Sequence, residues 1–86
     1  MSSVHLAFSS SGHRSLCQLS PGERGIIMHI DVSDDDRRNR LIALGVTPGA
    51  AVEVLQTFPG IVFLCDQTEL AVERGVAAAI VVRHDQ

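Results

Sequence analysis

The chain has 86 residues, of which 45% are hydrophobic, so it is long enough to form one domain with its own core and too short to form two. Seven arginines, no lysine and ten acidic residues give a formal net charge of −3, which argues against nucleic acid and anionic membranes as partners. Phenylalanine supplies all three aromatic residues, so we expect an aliphatic core and no platform on which nucleic-acid bases stack.

Cysteine content and hydropathy bear on where the chain works. Its two cysteines, Cys17 and Cys65, are too few for a disulfide-stapled secreted scaffold, and the N-terminus lacks the apolar stretch of a signal peptide. The longest apolar run, residues 76–82, is far shorter than the roughly twenty residues that span a membrane. These features predict a cytoplasmic protein with no direct membrane insertion.

The first fifteen residues differ in composition from the rest. They contain six serines and little apolar material, which predicts a flexible N-terminal tail over residues 1–15 and a folded domain over residues 16–86. The domain opens with a turn at residues 19–22, and the apolar, β-prone run at residues 25–30 predicts the first strand. Gly25 begins this strand, where we expect a bulge or a close backbone approach.

Residues 33–45 carry the pattern of an amphipathic helix. Ser33 is suited to cap it, and the aspartates at 34–36 favour the positive end of the helix dipole. Asp34 precedes Arg38 by four residues, which predicts an ion pair on the helix surface. The same spacing predicts a second pair between Asp36 and Arg40.

The second half of this helix is predicted to dock on the core. Leu41 and Leu44 lie three residues apart and so share one face. Gly45 is predicted to end the helix, because glycine adopts the left-handed conformation found just after many helices, and Pro48 follows soon after.

Beyond residue 49 the spacing of apolar residues changes from helical to β. We predict strands at residues 51–58, 61–65, 68–72 and 80–82, with a helical turn at residues 76–78. Together with the first strand, these make five short strands with one inserted helix, which is typical of a small, strongly bent sheet or barrel.

Two stretches of the sequence resemble a known family. The first is Leu-Ser-Pro-Gly-Glu-Arg-Gly at residues 19–25, and the second is Arg-Asn-Arg-Leu-Ile-Ala-Leu-Gly-Val-Thr-Pro-Gly at residues 38–49. With the ending at residues 70–82, they resemble the FeoA family, in which an L-x-x-G opening is followed by an R-L-x-x-L-G-hydrophobic-x-P-G motif. The resemblance covers residues 16–82.

This resemblance implies both a fold and a function. The implied fold is mainly β, a small SH3-like barrel of five strands with one α-helix inserted after the first strand. The implied function is that of a small cytoplasmic accessory of ferrous iron uptake, which docks on the cytosolic GTP-binding domain of a FeoB-type transporter and needs no cofactor. A related SH3-like module ends the metal-dependent repressors of the DtxR type, so fold alone does not choose between these functions.

Catalytic and metal-binding patterns are weak in this sequence. No hydrolase, zinc-protease or phosphate-loop motif occurs, so we predict that the chain is not an enzyme. The His and Cys residues, none of them at ligand spacing, are His5, His13, His29, His84, Cys17 and Cys65. We therefore predict no metal site, with a transition-metal-binding or metal-sensing module built from distant residues as the alternative.

Two of these residues have specific structural predictions. His29 alternates with Met28 and Ile30 along the first strand, which predicts that it points to the opposite face and is a surface histidine. Cys65 lies in an apolar strand, where a thiol acts as a small buried hydrophobic group.

The turn between the hairpin strands is the main candidate for a partner-binding site. The predicted binding residues there are Phe58, Pro59, Gly60, Ile61 and Phe63. An exposed apolar tip suits protein recognition, because interfaces depend on a few aromatic or aliphatic side chains. The alternative is that Phe58 folds over the barrel mouth as part of the core.

Arginines of the helix are predicted to border the same surface. Arg37, Arg38 and Arg40 are candidates because arginine is enriched at interfaces and pairs with carboxylates in a fork. The alternative for each is a merely solvated side chain. A further alternative for the whole chain is a domain that self-associates weakly through an open strand edge.

Overall fold

The computed structural model describes residues 13–85. In these residues six strands and three short helical segments follow one another: β1 (His13–Ser15), a 3-10 helix (Leu16–Gln18), β2 (Arg24–Ile30), α1 (Asp35–Ala43), β3 (Ala51–Gln56), β4 (Ile61–Cys65), β5 (Thr68–Val72), α2 (Arg74–Ala78) and β6 (Ile80–Asp85). The strands form one antiparallel sheet in the order β1-β6-β2-β3-β4-β5. The fold is therefore mainly β with a helix after the first long strand, as predicted.

Strand β1 is the element that the sequence did not predict. It consists of His13–Ser15, the last three residues of the predicted tail, and it pairs with β6. Residues 1–12 of that tail lie outside the described part of the chain. Strand β6 is also longer than predicted, because its second half pairs with Arg24 and Gly25 at the start of β2.

Strand β2 departs from regular alternation at Met28. Its register against β6 shifts between Ile27 and His29, so that β2 carries one extra residue at this point. Met28 and His29 are therefore both exposed, and the prediction that they point to opposite faces is wrong. His29 is nevertheless at the surface, with its Nε2 atom 3.5 Å from the Oδ2 atom of Asp31.

Helix α1 is capped by Asp34 and not by Ser33 as predicted. The Oδ1 atom of Asp34 accepts hydrogen bonds from two backbone N–H groups of the first turn, with N···O distances of 3.0 and 3.2 Å. Because this carboxylate faces the backbone, its predicted ion pair with Arg38 does not form. Arg38 pairs with Asp35 instead.

Helix α1 ends in a Schellman motif at Gly45, whose φ of +94° confirms the predicted stop. The N–H of Gly45 donates to the carbonyl of Ile42, and the N–H of Val46 donates to the carbonyl of Leu41. This turn places Val46 beneath the helix, where both it and Leu41 are buried. The prediction that Leu44 docks on the core with Leu41 is wrong, since the Leu44 side chain is 48% exposed.

The core is aliphatic, as predicted, with Phe63 as its aromatic member among the described residues. Its buried side chains come from every strand except β1 and β5, from the 3-10 helix, from both α-helices and from the connecting loops: Leu16, Leu19, Ile27, Val32, Leu41, Val46, Ala50, Val52, Val54, Ile61, Phe63, Cys65, Ala77, Ile80 and Val82. Between residues 13 and 85, no helix is both long enough and apolar enough to cross a membrane.

Candidate docking surface

The β3–β4 turn presents the most exposed large apolar side chain of the described residues. Phe58 is 78% exposed, and Pro59, which follows it through a cis peptide bond, is exposed as well. Of the two arrangements considered for Phe58, the structure therefore shows the exposed tip and not the packed barrel mouth. A phenylalanine in this position offers a large apolar area that a partner protein would remove from water.

Two residues predicted for this surface lie in the core instead. Ile61 and Phe63 both have no exposed area, because β4 turns its odd-numbered residues inward. Their predicted role in partner contact is therefore wrong. Val62 and Leu64, on the opposite face of β4, are half-buried.

Contacts to α2 hold the tip in place. The guanidinium group of Arg74 donates a hydrogen bond to the backbone carbonyl of Thr57. On the other side of the turn, Gly60 lies so close to β5 that a Cβ atom added there would be 3.4 Å from the carbonyl oxygen of Val72. The exposed Phe58 ring therefore projects from a turn that is hydrogen-bonded to Arg74 on one side and packed against β5 on the other.

A groove of about 240 Å³ lies beside the tip, between α1 and the end of β5 with α2. Its lining residues are Arg37, Arg40, Leu41, Leu44, Ala71, Val72, Glu73 and Val76. Val72 lines the groove, and its carbonyl oxygen lies near Gly60, so the groove adjoins the tip. We call this surface, made of the tip at residues 57–60 and the groove, the docking surface.

The three predicted arginines divide between two places. Arg37 and Arg40 line the groove and are exposed. Arg38 points away from it, is half-buried and pairs with Asp35. The predicted ion pair between Arg40 and Asp36 is absent from the described ion pairs.

Several residues of the docking surface were not predicted from the sequence. Leu44 has the spacing of a core residue, and its exposure depends on the turn at Gly45. Glu73 and Val76 of the groove, and Arg74, which donates to the tip, lie about thirty residues after α1 in the chain. No local pattern indicates that the folded sheet brings them next to this helix.

The His and Cys side chains do not assemble into a metal site in the described residues. Within residues 13–85 there is no group of three or more His, Cys, Asp or Glu side chains placed to hold a metal ion. Burial, with a smaller effect of the Asp66 carboxylate, raises the pKa of the Cys65 thiol. The Sγ atom of Cys65 lies 3.3 Å from the carbonyl oxygen of Gly45, to which it donates. Cys65 is therefore a neutral thiol packed in the core, as predicted.

A comparison with protein families connects this structure to a function. The sequence profile of the FeoA domain matches residues 14–84, which is most of the chain. The chain belongs to the FeoA family. This family is associated with ferrous iron transport. A comparison with curated proteins gave no match.

Solved FeoA structures share the fold of this chain. A crystal structure of an iron uptake regulatory protein (FeoA) superposes with a TM-score of 0.76 and 29% identity, over 85% of this chain and 99% of the other. The FeoA protein of Chlorobium tepidum, solved by NMR, gives a TM-score of 0.76 and 29% identity, over 84% of this chain and 70% of the other. The chain therefore has the small SH3-like fold of FeoA proteins.

The same fold occurs in a different functional class. A manganese-dependent transcriptional repressor superposes with a TM-score of 0.78 and 21% identity, over 85% of this chain but 42% of the repressor. At this identity the similarity shows a shared fold alone.

Proposed function

We propose that this FeoA-family chain is a non-enzymatic accessory of cytoplasmic ferrous iron uptake, which docks on the cytosolic GTP-binding domain of a FeoB-type transporter. The observation that carries the proposal is the Phe58 ring, which is 78% exposed on a turn that adjoins the groove lined by Arg37 and Arg40. Membership of the FeoA family supports a role in ferrous iron transport, and the docking surface gives the chain a way to contact a partner protein.

The docking surface has the composition of a protein-binding site. Interfaces usually depend on a few aromatic and arginine side chains surrounded by contacts that exclude water. Phe58 provides the aromatic group, Leu44 and Val72 provide apolar area, and Arg37 and Arg40 provide charge at the border. The hydrogen bond from Arg74 to the carbonyl of Thr57 reduces the conformational freedom that the tip would lose on binding.

Such an accessory acts by selecting one state of its partner. It changes the nucleotide or transport state of the transporter only as far as it binds one state more tightly than the other. The proposal therefore requires that affinity differ between the GDP and GTP forms of the partner domain.

The direct test is an NMR titration of isotope-labelled full-length chain with the GTP-binding domain of a FeoB-type transporter. The domain is added in its GDP form and, separately, with a non-hydrolysable GTP analogue. We expect chemical-shift changes at residues 57–60, Arg37 and Arg40, with different affinities for the two forms. Absence of any shift at high micromolar concentrations of both forms would contradict the proposal.

A pair of exposed apolar residues provides the matched variants for this test. Phe58→Ala is expected to weaken binding at least about tenfold, because the ring is the main apolar contact of the tip. Met28→Ala is the control, since Met28 is also exposed but lies on β2 near the start of β3, at the opposite end of that strand from the tip. Equal effects of the two substitutions would show that docking does not use the tip.

A further inference from the structure

Strand β5 leaves one side of its backbone without a strand partner in the described residues. It is the last strand in the sheet order and pairs with β4 alone. A two-residue loop joins β4 to β5, with Cys65 opposite Thr68, and the residues that flank such a loop form a hydrogen-bonded pair. Pairs alternate along an antiparallel ladder, so the backbone N–H and C=O groups of Glu69 and Ala71 face the open edge.

The groove adjoins this open edge. Ala71 and Val72 of β5 form one wall, and Leu41 and Leu44 of α1 form the other. A strand added to β5 would place every second side chain on the groove side, against these apolar residues. The groove volume of about 240 Å³ accommodates side chains of such a strand.

The charged side chains at the groove indicate which kind of segment would bind as the added strand. Arg37 and Arg40 are exposed at the groove, and neither takes part in the ion pairs of the described residues. Glu73 is the acidic residue among the lining side chains. Carboxylates on an incoming segment would pair with the two guanidinium groups in a fork geometry.

We propose that the open edge of β5 and the groove bind an extended, acidic and apolar segment of the partner protein as an added β-strand. This inference rests on the proposed docking function and specifies which part of the partner is recognised. Residues 1–12 of the chain itself contain no Asp or Glu and so offer no charge for Arg37 and Arg40.

The probe for this inference is a capped octapeptide, titrated into isotope-labelled full-length chain, in which valine and glutamate alternate at the odd positions and threonine fills the even positions, so that valine and glutamate side chains share one face. We expect shift changes along residues 69–73 and at the side chains of Arg37 and Arg40. Two control peptides have the same length: one carries lysine in place of glutamate, and one carries proline at a central valine, which removes a backbone donor. Both controls are expected to bind at least about fivefold more weakly.

Matched arginine variants test the charge contribution. Arg40→Gln is expected to weaken binding of the valine–glutamate peptide about fivefold, whereas Arg83→Gln, the same change at an exposed residue of β6, leaves it unchanged. Equal binding of the glutamate and lysine peptides, equal effects of the two variants, or shifts confined to the β1 edge would each overturn the inference.

Failure of this inference is distinguishable from failure of the proposed function. If the transporter domain binds through Phe58 but the peptide does not shift β5, the strand-addition inference is wrong and the docking function stands. If the peptide binds at β5 and the transporter domain does not bind at all, the choice of partner is wrong, while the recognised chemistry is supported.

Discussion

Gly25 is a residue at which the absence of a side chain decides how two strands pack. A Cβ atom placed there would lie 2.7 Å from the carbonyl oxygen of Arg83 and 3.3 Å from the Cβ atom of Val82. We expect Gly25→Ala to lower the free energy of unfolding by roughly 1–3 kcal/mol, because the backbone of β6 must shift. Gly75→Ala is the control, since no atom lies within 4 Å of its added Cβ. Urea unfolding measures both, and an equal response would contradict the predicted clash.

The two phenylalanines of the hairpin have opposite roles. Phe63 is fully buried and Phe58 is 78% exposed. Phe63→Ala is expected to cost about 3–5 kcal/mol of stability, and Phe58→Ala to change it by less than about 0.5 kcal/mol. Chemical denaturation of both variants gives the comparison. If Phe63→Ala does not fold, Phe63→Leu, expected to cost about 1 kcal/mol, replaces it. A larger loss at Phe58 than at Phe63 would contradict this assignment.

At the scale of the element, the cap of α1 distinguishes Ser33 from Asp34, two neighbouring residues that the sequence alone makes equally suited to cap the helix. Asp34 accepts two backbone hydrogen bonds at the start of the helix, and Ser33 accepts none in the described bonds. Asp34→Ala should therefore lower stability by about 1 kcal/mol, and Ser33→Ala by less than about 0.5 kcal/mol. Thermal or urea unfolding distinguishes them. A larger loss of stability for Ser33→Ala than for Asp34→Ala would show that Ser33 caps the helix, as predicted from the sequence.

Elements with a strong local pattern could be predicted from the sequence, and those that depend on distant partners could not. The predicted bounds of β4 and β5 are confirmed, because turn residues delimit both strands. The predicted cap of α1 lies one residue too early, since serine and aspartate cap equally well and the sequence alone does not choose between Ser33 and Asp34. Strand β1 carries no apolar pattern and depends on pairing with β6, at the far end of the chain.

The candidate site also combines features that a local pattern predicts with features that depend on residues distant in the chain. The exposure of Phe58 was one of two predicted outcomes, because a turn sequence does not say which way an aromatic ring points. Ile61 and Phe63 were assigned to the surface although the alternation of β4 places them on one face with Cys65, which was expected to be buried. The groove could not be predicted, because α1 and the β5–α2 segment become neighbours through the sheet alone.

At the scale of the whole molecule, Glu23 joins the two ends of the domain. Its Oε1 atom accepts a hydrogen bond from the backbone N–H of Ser20 at 2.7 Å, and its Oε2 atom lies 2.9 Å from Nε2 of His84 on β6. The Ser20 bond lowers the pKa of the Glu23 carboxyl, desolvation opposes this in part, and His84 and Arg14 lower it further. One carboxylate thus connects the turn before β2 with the last strand.

This contact predicts a specific dependence of stability on pH. Since the pKa of Glu23 is lower in the folded state, its contribution is complete above the ordinary glutamate pKa of about 4.3 and is lost as the pH falls through the folded value. Glu23→Gln keeps an acceptor for Ser20 but cannot ionise. Urea unfolding at several values from about pH 5.5 to about pH 3 should therefore show wild type more stable at the upper end, with the difference shrinking as acid is added. A difference that stays constant over this range would show that the carboxylate of Glu23 is not held by Ser20 and His84 in solution.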